Sequence, residues 1–211
     1  MNDNGRKIES LLLLLARVVS ALFNPLWFVI VLFVLMFTMT YLAVLPLFYK
    51  MYVLAVVLFF TVLLPLTAIF AYGKLLRLPK GYLSVKENRL IPYAFTLLSY
   101  FFGYLLMQRM LVPYYMTLVL LVALVAMLVC ALVNVKWKIS EHLAAAGAAT
   151  GGVIFYGPLF TTHVVWWLCA MIFVSGLLAT ARMALGEHSL RQVFWGWTNG
   201  FVSCVVVLCC F

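Results

Sequence analysis

Three short polar segments of this chain carry the residue types that phosphoryl-transfer chemistry needs. Together they hold two of the three histidines and three of the five acidic residues of the sequence. Cationic side chains neutralise phosphate oxygens, one imidazole can attack phosphorus, and a second can protonate the leaving oxygen. The candidate residues are Lys86, Arg89, Ser140, Glu141, His142, Arg182, His188 and Gln192.

The last of these segments has the most regular spacing. Five residues separate Arg182 from His188, and Gln192 follows four residues after that histidine. The planar fork of an arginine can bind two phosphate oxygens at once, which suits it better than lysine to this task. The side-chain carbonyl of Gln192 can accept a hydrogen bond from an imidazole N–H and fix its tautomer, although it adds no charge.

The three segments resemble the motifs of the type 2 phosphatidic acid phosphatase superfamily, integral membrane lipid phosphatases related to vanadium haloperoxidases. The family motifs read K-x6-R-P, P-S-G-H and S-R-x5-H-x3-D. The segment from Arg182 to Gln192 keeps the R-x5-H-x3 spacing, and the second segment keeps Ser140 and His142. The first segment keeps Arg89, but its proline comes two residues later than in the family. The resemblance covers residues 73–211.

The resemblance implies hydrolysis of a phosphomonoester or pyrophosphate of a membrane lipid through a phosphohistidine intermediate. In that reaction His188 would be the nucleophile, His142 the general acid on the leaving alkoxide, and Gln192 the residue that orients the nucleophile. No metal and no other cofactor is implied. The residues that would bind the substrate phosphate are Arg89, Arg182, Ser140 and Lys86.

Two positions depart from the family pattern. Gln192 stands where the family has an aspartate, and Glu141 stands where it has a glycine. A carboxylate at position 141 repels phosphate unless Lys138 or Arg182 pairs with it. The sequence leaves open an active variant, a slow enzyme, or a family member that binds an anionic lipid or partner without turnover. A transporter is a further alternative, which broken helices at mid-membrane and charges buried within the spans would favour.

The elements that must position these residues are membrane-spanning helices. Of 211 residues, 68% are hydrophobic and 9% are charged, against roughly 25% charged residues in soluble domains. Apolar runs recur at the length of about 20 residues that crosses a hydrocarbon core. Only a helical form satisfies the backbone of such runs inside the bilayer. The composition therefore predicts an all-α, polytopic transmembrane bundle of six to seven spanning helices and excludes a soluble domain.

The bundle is predicted to be a single domain, residues 26–211, preceded by an N-terminal interfacial segment, residues 1–25. A helix in that segment ends at Asn24-Pro25. Pro65 predicts a kink in the second span, and the Ala- and Gly-rich fifth span predicts close helix packing. The predicted spans are residues 26–45, 51–72, 93–107, 114–133, 141–156, 163–181 and 192–211.

The net charge of +9 is distributed unevenly. With alternate loops on alternate faces, one face carries only Lys50 and Arg109, which leaves twelve of the fourteen Lys and Arg residues on the face of the three motif segments. This bias predicts that the motif face is cytoplasmic, and the size of the chain favours a bacterial inner membrane. Because the basic residues lie at helix ends, we expect membrane lipid and a lipid phosphate as partners, and no nucleic acid.

Overall fold

A computed structural model describes residues 3–77, 90–110, 112–159 and 163–211. These residues form α-helices joined by short turns, and no strand occurs in these ranges. The predicted all-α fold class is confirmed. The helices are α1 Asp3–Leu22, α2 Pro25–Met39, α3 Leu47–Leu58, α4 Leu64–Leu75, α5 Leu90–Arg109, α6 Tyr114–Lys136, α7 Glu141–Phe155, α8 Val164–Ala184 and α9 Leu190–Cys210.

Five helical segments within the described ranges are long and apolar enough to cross a membrane, so the chain is an integral membrane protein. They are Leu47–Leu75, Leu90–Arg109, Tyr114–Lys136, Val164–Ala184 and Leu190–Cys210. The number becomes six if α1 and α2, which meet at 57°, form one broken span. Helix α7, predicted as a span, has 15 residues. It rises about 22 Å, less than the roughly 30 Å of a hydrocarbon core.

The helix break predicted at Asn24-Pro25 is present. The Oδ1 atom of Asn24 accepts a hydrogen bond from the Leu26 N–H at 3.1 Å, and Pro25 takes the first position of α2, where its missing N–H is not needed. From this break α1 runs along α8. Ala16 and Ser20, four residues apart on α1, are buried.

Just before Pro65, where the sequence predicts a kink, a π-helical turn, Phe59–Leu63, joins α3 to α4. Such a turn leaves backbone groups without their usual helical partners. The hydroxyl of Ser99 on α5 donates to the carbonyl oxygen of Phe60, and Gly103 on the same helix lets Phe60 approach. A neighbouring helix thus satisfies the backbone at this point, as the membrane interior requires.

Among the described residues, the closest helix packing is between α7 and α9. Helix α7 also contacts α2, α6 and α8. A Cβ atom at position 200 would overlap the carbonyl oxygen of Ala144, and one at position 147 would overlap that of Trp197. The two backbones therefore touch directly, as small residues allow, and the predicted close packing of this segment is confirmed. We call this contact the glycine seam. Its glycines are Gly147, Gly151, Gly196 and Gly200.

Candidate functional site

The turn between α8 and α9 determines how Arg182 and His188 are placed relative to each other. The N–H of Gly186 donates to the carbonyl of Met183 at 2.9 Å, and the N–H of Glu187 donates to the carbonyl of Arg182 at 3.2 Å. This is the Schellman arrangement, and it needs the φ of +67° that Gly186 adopts. The turn brings Glu187 back to Arg182 and places His188 just before α9.

Gln192 fixes the beginning of α9. Ser189 and Gln192 form a capping box, in which the Ser189 N–H donates to the Oε1 atom of Gln192 at 3.1 Å. The same oxygen lies 3.3 Å from the Nδ1 atom of His188. Because an amide oxygen only accepts, it favours the tautomer with the proton on Nδ1 and leaves Nε2 with a lone pair. Gln192 is in place to orient His188, and its catalytic role stays a prediction.

Arg182 is 8% exposed, and its guanidinium has partners on two sides. Its Nη1 atom donates to the hydroxyl of Ser20 at 2.8 Å, and its Nη2 atom forms an ion pair with the carboxylate of Glu187. Its Nε atom is buried and has no hydrogen-bond partner among the described residues. The Nε donor of the predicted phosphate ligand is therefore unsatisfied, while Nη1 and Nη2 each have one side-chain partner.

The start of α7 reaches the same place. The Ser140 N–H donates to the backbone carbonyl of Gln192 at 3.4 Å, so α7 begins against the first turn of α9. The charge of Arg182 acts on His142, whose imidazole lies near His188 and the backbone of Ser20. The Oγ atom of Ser140 is fully buried and has no partner within the described ranges. The structure thus brings together what we call the polar cluster: Ser140, His142, Arg182, His188 and Gln192.

Glu141 points away from the polar cluster. Its Oε1 atom accepts a hydrogen bond from the hydroxyl of Tyr93 on α5 at 2.6 Å. It also lines an apolar cavity of about 70 Å³ between α2, α5, α6, α7 and α9. A pairing with Arg182, one of the two considered from the sequence, does not occur because Glu187 is the partner of Arg182. Successive residues of a helix point about 100° apart, so Glu141 faces the cavity while His142 faces the cluster.

The environment of His188 keeps its imidazole uncharged. Burial lowers the pKa of His188 to about 4, and the nearby positive charges of Lys138 and Arg182 act in the same direction. The hydrogen bond to Gln192 and the negative charge of Glu187 oppose this change. At neutral pH the ring is therefore in the form that a nucleophile requires.

Two residues near the cluster were not predicted as site residues. Ser20 arrives from α1, and no spacing in the sequence marks it because its position depends on how α1 lies against α8. Lys138 donates to the backbone carbonyl of Glu187 at 2.6 Å. In the sequence, the feature that could have identified Lys138 is its position in the basic turn, two residues before Ser140.

Lys86 and Arg89, the residues predicted from the first motif segment, lie outside the described residues. Within the described ranges, no group of three His, Cys, Asp or Glu side chains is placed to hold a metal ion.

No protein-family model, no curated protein and no solved structure matches this chain. The assignment of roles therefore depends on the residues and contacts of the polar cluster.

Proposed function

We propose that this protein is a membrane lipid phosphate phosphatase, which hydrolyses a phosphomonoester or pyrophosphate of a lipid through a phosphohistidine intermediate. The observation that carries the proposal is the meeting, at one end of the bundle, of His142 with Arg182 and His188, which come from a distant segment of the sequence. An uncharged imidazole held by an amide, a second imidazole and a guanidinium are the groups that the reaction needs.

In the proposed reaction the Nε2 atom of His188 attacks phosphorus while the bond to the leaving alkoxide breaks. His142 gives its proton to that oxygen, and the negative charge of the bound phosphate stabilises the protonated imidazole beforehand. Water then attacks phosphorus as the bond to Nε2 of His188 breaks, His142 accepts a proton from the water, and inorganic phosphate leaves. The guanidinium of Arg182 neutralises charge on the phosphate oxygens in both steps.

Two unsatisfied donors support a bound anion. Buried polar atoms in proteins nearly always have hydrogen-bond partners, yet the Nε atom of Arg182 and the hydroxyl of Ser140 have none among the described residues. A phosphate offers acceptor oxygens to both. Arg89 and Lys86 complete the proposed phosphate ligands by their place in the motif, and Lys138 adds a cation beside His188.

The helical bundle lies in the membrane, so the proposed substrate is already in the bilayer that surrounds it. A lipid in the bilayer reaches the polar cluster laterally, with its phosphate at the level of the helix ends. The excess of basic residues at this end supports a cytoplasmic position in a bacterial inner membrane. Anionic head groups concentrate on that surface, which increases the local concentration of a lipid phosphate.

A second candidate is a family member that binds an anionic lipid or partner without turnover. Two observations favour it. Gln192 supplies no negative charge to the histidine, and in a serine-protease triad the change of the equivalent aspartate to its amide costs about 10⁴ in kcat. Arg182 is also already paired with Glu187. Both candidates use the same phosphate site, and they differ in whether His188 forms a covalent bond.

Phosphate release by the purified protein, in detergent–lipid micelles with a panel of lipid phosphates, separates these candidates. We expect release by the wild type and a loss of more than about 10³-fold in His188→Ala. Gln192→Asp restores a charge beside His188, and we expect release to rise on the order of tenfold. The matched control is His163→Ala, because His163 precedes α8 at the opposite end of that helix from Arg182; its release should be unchanged.

Release found only in Gln192→Asp would favour the binding candidate, and no release from any variant on any lipid would contradict a phosphatase. Repeating the assay in sealed vesicles of known orientation tests the side: hydrolysis of lipid confined to the outer leaflet of right-side-out vesicles would contradict a cytoplasmic site.

A further inference from the structure

Helix α1 meets the polar cluster through Ser20. The hydroxyl of Ser20 accepts a hydrogen bond from Nη1 of Arg182 at 2.8 Å, and its backbone lies beside the imidazole of His142. Ser20, Arg182 and His188 are each 8% exposed. The proposed phosphate ligand and the nucleophile are thus buried, as is the residue of α1 that contacts Arg182.

With Ser20 in place, Arg182 offers a phosphate only part of its fork, because Nη1 and Nη2 already have side-chain partners. Phosphate binds best to two parallel N–H donors of one guanidinium, but Nη1 is bonded to Ser20 and Nη2 to Glu187. The bond to Ser20 is the weaker of the two, because a hydroxyl is neutral and the carboxylate of Glu187 is charged. An arriving phosphate therefore displaces the serine more readily than the glutamate.

The attachment of α1 allows such a displacement. Its contact with the bundle is mainly with α8, against which it places the small residues Ala16 and Ser20. A lipid environment is as apolar as a helix surface, so leaving α8 exposes no apolar group to water. The 57° bend at Asn24-Pro25 supplies a pivot. The large apolar side chains that α1 exposes are Leu11, Leu12, Leu14, Leu15, Val18 and Leu22.

We propose that α1 is a displaceable cover over the polar cluster, and that a lipid phosphate opens it by replacing the hydroxyl of Ser20 on Arg182 with a phosphate oxygen. The exposed apolar side chains of α1 keep it at the membrane interface in both states. The proposal rests on the phosphate site of the proposed function but needs no turnover. A cover of this kind lowers the apparent affinity for phosphate, because only the fraction of molecules in which α1 is displaced can bind it.

Binding of a short-chain phosphatidic acid to the purified protein in detergent micelles tests the cover. Ser20→Ala removes the bond that holds α1, so we expect two- to tenfold tighter binding, roughly the effect of one hydrogen bond. Ser20→Asp gives Arg182 a charged partner on α1 and should weaken binding at least about tenfold. The matched control is Ala21→Asp, which adds the same charge at the neighbouring exposed position and should have little effect.

A second measurement follows the movement itself. In a variant whose five native cysteines are replaced, a cysteine introduced by Ser20→Cys should react slowly with a maleimide and faster once the phosphatidic acid is added. A cysteine introduced by Ala21→Cys should react at the same rate with and without it.

Weaker or unchanged binding by Ser20→Ala would overturn the cover and make Ser20 a residue that positions Arg182. Labelling at position 20 that does not respond to lipid, or that slows, would also overturn it. Neither readout depends on hydrolysis. If the protein hydrolyses no lipid phosphate but Ser20→Ala binds phosphatidic acid more tightly, the cover is supported and the phosphatase is contradicted. If the protein hydrolyses lipid phosphate and Ser20→Ala binds with unchanged affinity, the phosphatase is supported and the cover is contradicted.

Discussion

The glycine seam and the contact between α1 and α8 are both built from small residues, but they have different strengths. In the seam the backbones of α7 and α9 touch, and a side chain at Gly147 or Gly200 has no space. At the other contact α1 lies mainly on α8, with a single neutral hydroxyl bonded to Arg182. The seam joins two of the motif segments, since His142 lies in the first turn of α7 and His188 precedes α9. We infer from this difference that the proposed catalytic groups are on a fixed platform, while the proposed cover is more loosely held.

The largest effect should come from a side chain in the glycine seam. Gly200→Leu places carbon atoms where the carbonyl oxygen of Ala144 lies, so α7 and α9 must separate. Overpacking of this kind costs about 3 kcal/mol or more, and we expect the melting temperature in detergent to fall by on the order of 10 °C or the protein to aggregate. The control is Gly176→Leu in α8, because a Cβ atom there meets no neighbouring atom. A Gly200→Leu protein as stable as this control would contradict the fixed platform.

A matching change on α1 should have a smaller effect on stability. Ala16 is buried one turn before Ser20, and Ala16→Leu pushes α1 away from α8 without touching the glycine seam. We expect a fall in melting temperature of less than about 3 °C, roughly 1 kcal/mol, together with faster labelling of a cysteine at position 20. A loss as large as that of Gly200→Leu would mean that α1 is an integral part of the bundle.

The smallest expected effect is a change in the pKa of His188, one of the groups on the fixed platform. The positive charge of Lys138 helps to lower the pKa of His188, so Lys138→Met should raise that pKa from about 4 towards its ordinary value. Protonated His188 cannot act as a nucleophile, so the loss of activity on acidification should begin at a higher pH in the variant. Titration of the histidine ring by NMR measures the same shift without turnover. The control is Lys136→Met, since Lys136 is not among the charges that act on His188; equal shifts in both variants would contradict a specific effect of Lys138.

Much of the fold could be predicted from apolar run length and from breaks at proline and glycine. The end of the N-terminal helix at Asn24-Pro25 and the irregularity near Pro65 follow from the missing N–H of proline, which is a local property. The bounds predicted for α7, residues 141–156, also agree with the observed Glu141–Phe155 to within one residue. Its apolar composition resembles that of a span, and Gly157-Pro158 limits it to a helix that ends at Phe155.

The candidate site could be predicted where spacing within one segment determined it. The interval between Arg182 and His188 is one Schellman turn plus a helix cap, and Gly186 at the turn is visible in the sequence. The partners of Arg182 and Glu141 could not be predicted, because Ser20 and Tyr93 come from helices whose placement depends on the packing of the whole bundle. Such contacts leave no periodic pattern in the chain.

The shortness of α7 has a consequence for the lipid around the protein. A 15-residue helix is about 8 Å shorter than a hydrocarbon core of about 30 Å, a case of negative hydrophobic mismatch. Because α7 contacts four other helices, lipid cannot thin around it alone, and we expect a recess at one end of this helix. His142 lies in the first turn of α7, so a recess at that end would place it below the plane of the head groups. A lipid phosphate bound there, as we propose, would keep its acyl chains in the bilayer.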